Sequence, residues 1–171
     1  MLRKIGRWYS SYSQKYPLRV ASVTAGSVLF SADVVAQSSQ KKEWDSQRTL
    51  ALTMFGFLYY GFPCKLLYLS YDRIFGLGRG HLKALCDVFL HTPFLLIPSF
   101  YLSTGLVKGH SLEQIRKQLT NDWLEARLGS VCFWTPAQLV CFTFVPQHSR
   151  ILFVAAASFI HKVWLSTISN R

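Results

Sequence analysis

Four stretches of this chain are almost free of charged residues, and they constrain its fold more than any other feature. They are residues 18–37, 49–71, 88–107 and 128–147. The first contains one base and one acid, the second contains Lys65, and the other two contain no Asp, Glu, Lys or Arg. About 20 mostly apolar residues in a helix cross the roughly 30 Å hydrocarbon layer of a bilayer. We therefore predict four membrane-spanning segments.

These segments are expected to be helices, because a helix satisfies its own backbone hydrogen bonds in lipid. The strands of a membrane barrel would alternate apolar and polar residues, whereas these stretches are apolar at consecutive positions. A further helix is predicted near 150–168, where the apolar run fits either a short span or a helix lying at the membrane interface. The predicted fold is an all-α polytopic transmembrane helix bundle, forming a single membrane domain over residues 1–171.

The first span is rich in small residues, namely Ala21, Ser22, Ala25, Gly26 and Ser27. Small residues four positions apart let the backbones of two membrane helices approach each other closely. We therefore expect the first span to pack tightly against a neighbour.

Composition and charge favour a membrane partner over nucleic acid. Only 16% of the residues are charged, against roughly 25% in an average soluble domain. The net charge is +11, but the basic residues lie in short clusters between apolar stretches and form no dense stripe. The expected partner is a lipid bilayer, with anionic lipids at the basic loops. The more basic side of the bundle, which includes the N-terminus, is predicted to face the matrix or the cytosol.

The N-terminal segment 1–17 is basic and amphipathic. It contains four Lys and Arg residues and no acid, and Trp8, Tyr12 and Tyr16 recur at helical spacing. This pattern resembles a mitochondrial targeting region. It also fits an interfacial helix whose aromatic rings lie at headgroup depth.

Polar side chains recur at helical spacing inside the predicted spans, one stripe in each. The candidates for lining a path or bonding helices together are Asp33, Gln37, Lys65, Tyr68, Asp87, His91, Thr135 and Gln138. A charge at mid-membrane is costly, so these groups should face protein or water. Two interpretations stay open: the stripes bond the helices to one another, or they surround a water-filled path. The chain direction predicts a Lys65–Asp87 pair and keeps Asp33 away from Lys65.

The sequence contains no catalytic, cofactor-binding or metal-binding motif that we recognise, so we expect no enzymatic activity and no cofactor. Its five histidines have no metal-ligand spacing, and none of its four cysteines forms a CxxC pair. The cysteines are expected to be small buried apolar groups, with a Cys132–Cys141 redox pair as the alternative.

The chain resembles the Mpv-seventeen family of small mitochondrial inner-membrane and peroxisomal membrane proteins over nearly its whole length. The resemblance is carried by Trp8, Pro17, Gly26, Gly61, Asp72, Trp123, Trp134, Phe142, Pro146, Arg150 and Trp164. It implies about four spans and a pore-forming or permeability-modulating role. That role would support metabolite or nucleotide balance, mitochondrial DNA maintenance and reactive-oxygen balance.

The basic N-terminus favours the mitochondrial inner membrane, with the peroxisomal membrane as the alternative. The leading functional hypothesis is a channel for ions or small metabolites. A carrier with alternating access and a structural or assembly protein of the membrane are the alternatives. Assembly into a homo-oligomer is left open.

Overall fold

The computed structural model describes residues 2–38, 43–76 and 78–169, and this part of the chain is helical with no strand. Six helices follow one another: α1 (Leu2–Lys15), α2 (Pro17–Ser38), α3 (Ser46–Phe75), α4 (Gly80–Val107), α5 (Leu112–Phe144) and α6 (Arg150–Ser169). A short 3-10 turn, Gln147–Ser149, joins the last two. We call the membrane side at which α2 begins the first face and the side at which α2 ends the second face.

Three of these helices, α2, α3 and α4, are long and apolar enough to cross a bilayer. They contain the first three predicted spans, so this part of the prediction is confirmed. The predicted loop between Asp72 and Asp87 was too long, because α3 continues to Phe75 and α4 starts at Gly80. Asp72 and Asp87 therefore project from helices and not from a loop.

The region after Lys108 also differs from the prediction. We predicted a separate fourth span over 128–147, but α5 is one continuous helix of 33 residues that starts well before it. Its start is fixed by a capping box, in which the Ser111 and Gln114 side chains bond each other's backbone N–H groups. No proline occurs between this cap and Pro136, so nothing in the intervening sequence breaks the helix. The described part of α5 is not among the three helices that meet the apolar criterion for crossing.

Both α3 and α4 contain a π-helical segment in the middle of the bundle. The segments are Gly56–Cys64 and Asp87–Leu96, and they include Pro63 and Pro93. A proline has no N–H to donate, and the wider π-helical turn changes the hydrogen-bond register at this point. The side chains on either side of each segment consequently depart from simple α-helical spacing.

Helices α2 and α3 are in contact at the level of their backbones. A Cβ atom on Gly61 would lie 1.9 Å from Ser22 Oγ and 2.4 Å from Ser22 Cα. One on Gly56 would lie 2.8 Å from the Ala25 carbonyl oxygen. Only glycine fits at these two positions, and the expected close packing of the first span is confirmed.

The two terminal helices pack against this pair. In α1, Ser13 is buried and its hydroxyl donates a 2.7 Å hydrogen bond to the His148 carbonyl, whereas Trp8 and Tyr12 stay exposed. Pro17 is the first residue of α2, as a proline at the first helical turn should be. Helix α6 runs beside α2 and buries Ile151, Val154 and Ala155.

Candidate functional site

A hydrogen-bonded network of five side chains, which we call the central network, lies inside the bundle. It joins Tyr59 and Tyr68 of α3, Asp87 and His91 of α4, and Gln138 of α5. Tyr59 is half-buried, whereas each of the other four is no more than 3% exposed. Three helices that are distant in sequence are thus connected by polar contacts at one level of the bundle.

The two carboxylate oxygens of Asp87 determine the direction of the hydrogen bonds in the central network. His91 Nδ1 lies 2.8 Å from Asp87 Oδ1 and donates the hydrogen bond when Asp87 is a carboxylate, because a carboxylate only accepts. His91 Nε2 lies 2.8 Å from the Tyr59 hydroxyl, which donates to it when the imidazole is neutral. The other oxygen, Asp87 Oδ2, accepts a 2.7 Å bond from Gln138 Nε2.

The amide of Gln138 is oriented by these partners. Its Nε2 also donates a 2.8 Å hydrogen bond to the Tyr68 hydroxyl, whereas its Oε1 is buried and has no partner among the described residues. The opposite orientation would place Oε1 against the Asp87 carboxylate, which cannot donate. The network therefore leaves one acceptor available in the interior of the protein.

A second polar group lies nearer the first face, where Asp72 contacts two cations. Arg150 Nη1 lies 2.9 Å from both Asp72 oxygens, and the Lys83 ammonium is also paired with this carboxylate. Arg150 Nε donates to the Val145 carbonyl, and its guanidinium lies over the Phe142 ring. This arrangement links the ends of α3 and α5 to the starts of α4 and α6.

The predicted Lys65–Asp87 pair is wrong. Lys65 is 2% exposed, and its Nζ donates a 2.9 Å hydrogen bond to the Gln147 carbonyl. Asp87 is occupied by His91 and Gln138. The 3-10 turn at Gln147 offers Lys65 a carbonyl acceptor, an interaction that side-chain spacing alone does not reveal.

A third group surrounds Asp33 near the second face. Asp33 Oδ1 lies 2.9 Å from Arg48 Nε, and Asp33 Oδ2 accepts hydrogen bonds from Gln37 Nε2 and the Thr49 hydroxyl at 2.6 and 2.8 Å. Gln37 Oε1 also accepts from the Asp45 backbone N–H. Lys65 is not part of this group, as the chain direction predicts.

Apolar side chains separate the Asp33 group from the central network. We call Leu29, Leu52, Phe55 and Phe100 the apolar layer. Phe55 is 4% exposed, stacks on Tyr59 of the central network and meets Phe100 edge to face. Polar groups therefore lie on both sides of this layer, and aromatic contacts of Phe55 fill part of the space between them.

Thr135, like Lys65, stands apart from these three groups. It is half-buried, and its hydroxyl donates to the Val131 carbonyl of its own helix. Conversely, Tyr59 belongs to the central network and Thr49 to the Asp33 group, although neither residue was among the candidates predicted from helical spacing. The π-helical register explains why Tyr59 was missed, since its spacing from Lys65 and Tyr68 does not fit one α-helical face.

Several other residues of the family pattern have a structural explanation. Gly26 and Gly61 lie at the α2–α3 contact, and Phe142 packs between Tyr68 and Tyr71. The Trp123 indole donates a 3.4 Å bond to the Pro93 carbonyl in the π-helical segment of α4. Trp134 meets Phe133 and His161 edge to face, and Pro146 precedes the 3-10 turn. The side chain of Trp164 lies outside what the structure describes.

The cysteines are free thiols. Cys64 and Cys141 are buried, Cys86 is half-buried and Cys132 is exposed. Cys132 and Cys141 lie nine positions apart on α5, or about 13 Å along the axis, which is too far for a disulfide within the chain. Among the described residues, no group of three His, Cys, Asp or Glu side chains is arranged to hold a metal ion.

Two cavities lie outside the central network. One of about 300 Å³ is near the second face, between the start of α3, the end of α4 and the first third of α5. The other, of about 290 Å³, is a shallow groove along α2 and α3. Neither is lined by Asp87, His91 or Gln138.

Comparison with known proteins gives consistent matches to one group. The model of the Mpv17 / PMP22 family matches residues 105–166. Protein SYM1 of Eremothecium gossypii is 28% identical, with 94% of this chain and 93% of that protein covered. The mitochondrial inner membrane protein Mpv17 of Danio rerio is 26% identical, with 97% and 98% covered. PXMP2/4 family protein 2 of Dictyostelium discoideum is 27% identical, with 98% and 92% covered. No solved structure matches.

Proposed function

We propose that this chain, whose matches point to the Mpv17 / PMP22 family, is a channel controlling the permeability of an organelle membrane. The names of the relatives agree with the predicted mitochondrial inner membrane and with the peroxisomal membrane as the alternative. The proposed cargo is an ion or a small metabolite. The proposed setting is a bilayer with anionic lipids, with self-association left open and with no catalytic step.

The central network is the observation that carries this proposal. A charged side chain at the centre of a membrane helix costs about 2.5–3.5 kcal/mol on insertion scales, and such residues commonly mark ion or substrate paths. Asp87, His91 and Gln138 are buried inside the bundle on α4 and α5, and they bond to tyrosines of α3. Gln138 Oε1 is directed into the interior without a protein partner, so a water or a cargo group can bond to it.

In this proposal, the conformation described above is the closed state of the channel. The apolar layer excludes water between the Asp33 group and the central network, and hydrophobic constrictions of this kind can gate by dewetting. The two π-helical segments flank this level, and such segments are frequent at functional sites. Opening would require Phe55 and Phe100 to separate, which would join the Asp33 group to the central network.

The finer membrane topology is also part of the proposal. The half of α5 after Leu128 is apolar and contains no Asp, Glu, Lys or Arg, and it places Gln138 against Asp87. We propose that it forms the fourth crossing. Helix α6 returns into the bundle beside α2, with His161 stacked on Phe133 of α5 at 4.2 Å between ring centroids. This contact supports a position within the membrane for at least the first half of α6.

Planar-bilayer recording tests the channel proposal. The purified protein should give discrete current steps, and Asp87→Asn should change their size or ion preference because it removes the buried negative charge. Glu113→Gln is the matched control, since it also removes one acid but from an exposed position at the start of α5. The proposal would be contradicted if folded protein, shown to be inserted in the bilayer, gave no current. It would also be contradicted if the parent and Asp87→Asn gave equal currents.

The structural alternative is supported by a specific observation. Nearly all buried polar side-chain atoms among the described residues have a hydrogen-bond partner within the protein. These groups can therefore hold the bundle together without having any further function. Absence of flux together with co-purification of fixed partners would favour this role. Saturable flux that depends on a counter-substrate, without current steps, would favour the carrier.

A further inference from the structure

The cavity near the second face combines a basic polar rim with an apolar floor. It is lined by Arg48, Lys108, His110, Gln118, Tyr101 and Thr104, together with the apolar Ala51, Leu52 and Phe100 and with Gly105. None of the described residues that line it is acidic. Its polar rim is therefore made of groups that donate hydrogen bonds or carry positive charge.

The charge of this rim favours an anion. Lys108 is exposed at the end of α4, and its ammonium offers three donors and no acceptor. Arg48 already pairs with Asp33 through Nε, so Lys108 and His110 are the groups on which the inference rests. Both are held in place by a compact turn, in which the Gly109 N–H bonds to Leu106 and the His110 N–H bonds to Gly105.

The size of the cavity and its apolar floor restrict the kind of ligand that can fit. Ligand pockets typically span about 300–1,000 Å³, so about 300 Å³ is at the lower limit and suits a small head group better than a whole nucleotide. Leu52 is buried and Phe100 half-buried, and they form an apolar floor under the basic rim. The cavity lies where α3 and α4 reach the second face, which is the depth of phospholipid phosphates.

We propose that this cavity binds the phosphate of an anionic ligand whose apolar part rests on Leu52 and Phe100. Basic pockets between membrane helices bind the head groups of anionic lipids in other proteins. A free phosphorylated metabolite offers the same phosphate chemistry, and the experiment below separates the two sources. Leu52 and Phe100 also belong to the apolar layer, but the inference does not depend on the channel proposal, because binding of a phosphate at the basic rim requires no conduction.

The test measures binding to the full chain purified in detergent. The probes are dihexanoyl phosphatidylglycerol, the zwitterionic dihexanoyl phosphatidylcholine and inorganic phosphate, each titrated while thermal unfolding and native mass spectra are recorded. A ligand that binds only the folded protein raises its melting temperature in a saturable way. The variant is Lys108→Gln/His110→Gln. The control is Lys117→Gln, which removes one exposed charge of α5 that does not line the cavity.

We expect one phosphatidylglycerol to bind the parent and the Lys117→Gln control equally. The double variant should bind it at least tenfold more weakly, since it loses charge-assisted hydrogen bonds but no packing. Competition by inorganic phosphate would identify phosphate alone as sufficient, and binding of the lipid without competition would identify the lipid as the source. Equal binding by the double variant, equal binding of phosphatidylcholine, or no binding of any probe would overturn the proposal.

Discussion

Gln138 on α5 donates a 2.7 Å hydrogen bond to Asp87 on α4, although the two residues are 51 positions apart in the sequence. Both side chains are almost completely buried. The bond joins two helices inside the bundle, and it fixes which end of the Gln138 amide is left without a partner.

Replacement of Gln138 by Leu should lower the free energy of unfolding by about 1–2 kcal/mol, because Asp87 and Tyr68 each lose a donor. Gln138→Glu should be more damaging, since it places a second carboxylate against Asp87. Thermal unfolding in detergent measures both. Thr135→Val is the control, because Thr135 bonds only to its own helix, and it should stay close to the parent. A Gln138→Leu variant as stable as Thr135→Val would show that the bond contributes nothing.

Replacement of Gly61 by Ala should destabilise the protein strongly. The new Cβ would overlap the Ser22 backbone at 2.4 Å, so the two helices must separate, at a cost of about 1–3 kcal/mol or more. Gly129→Ala is the matched control, since a Cβ there meets nothing within 4 Å and alanine has the higher helix propensity, by up to about 1 kcal/mol. The melting temperatures should therefore move in opposite directions. Movement in the same direction would contradict the close contact of α2 and α3.

Asp72 pairs with both Lys83 and Arg150, so loss of Asp72 and loss of Lys83 should lower the free energy of unfolding by different amounts. Lys83→Met leaves Asp72 paired with Arg150, whereas Asp72→Asn leaves two cations near each other without their counter-charge. We expect Asp72→Asn to cost about 3 kcal/mol or more and Lys83→Met clearly less. The order can be read from denaturant or thermal unfolding of the two variants. A reversed order would mean that Lys83 and Asp72 do not share this site.

The apolar layer predicts a gain of current on substitution. Phe55→Ser places a hydroxyl where Phe55 now separates the polar groups, and it removes apolar burial of about 1.5–3 kcal/mol from the closed state. If that burial is lost on opening, the open probability in a planar bilayer should rise at least tenfold. Phe57→Ser is the matched control, because Phe57 is 45% exposed on the outside of the same helix. Thermal unfolding should first show that both variants are folded. Equal currents from the two variants would show that Phe55 does not control opening.

The sequence predicted which helices form better than it predicted where each helix begins and ends. Hydropathy located α2, α3 and α4, and the small residues around Gly26 correctly indicated close packing. The continuity of α5 was missed, because its polar first half resembles a loop in composition even though a capping box starts it. Charge on its own does not reveal where a helix begins.

The candidate site was predicted in part. Helical spacing brought Asp87 and His91 together, and the structure places Gln138 against them. Spacing could not identify the partner of Lys65, because that partner is the backbone carbonyl of Gln147. It could not identify Tyr59 either, since a π-helical turn changes which side chains share a face.

The contact of Gly61 with Ser22 also bears on how the protein reaches its membrane. Helices α2 and α3 are joined by a short connection and touch without room for a lipid chain between them. They would consequently enter the bilayer as a hairpin, and a chain that cannot close this hairpin would be recognised as unfolded and degraded. A change at Gly61 should therefore reduce the amount of folded protein in the cell.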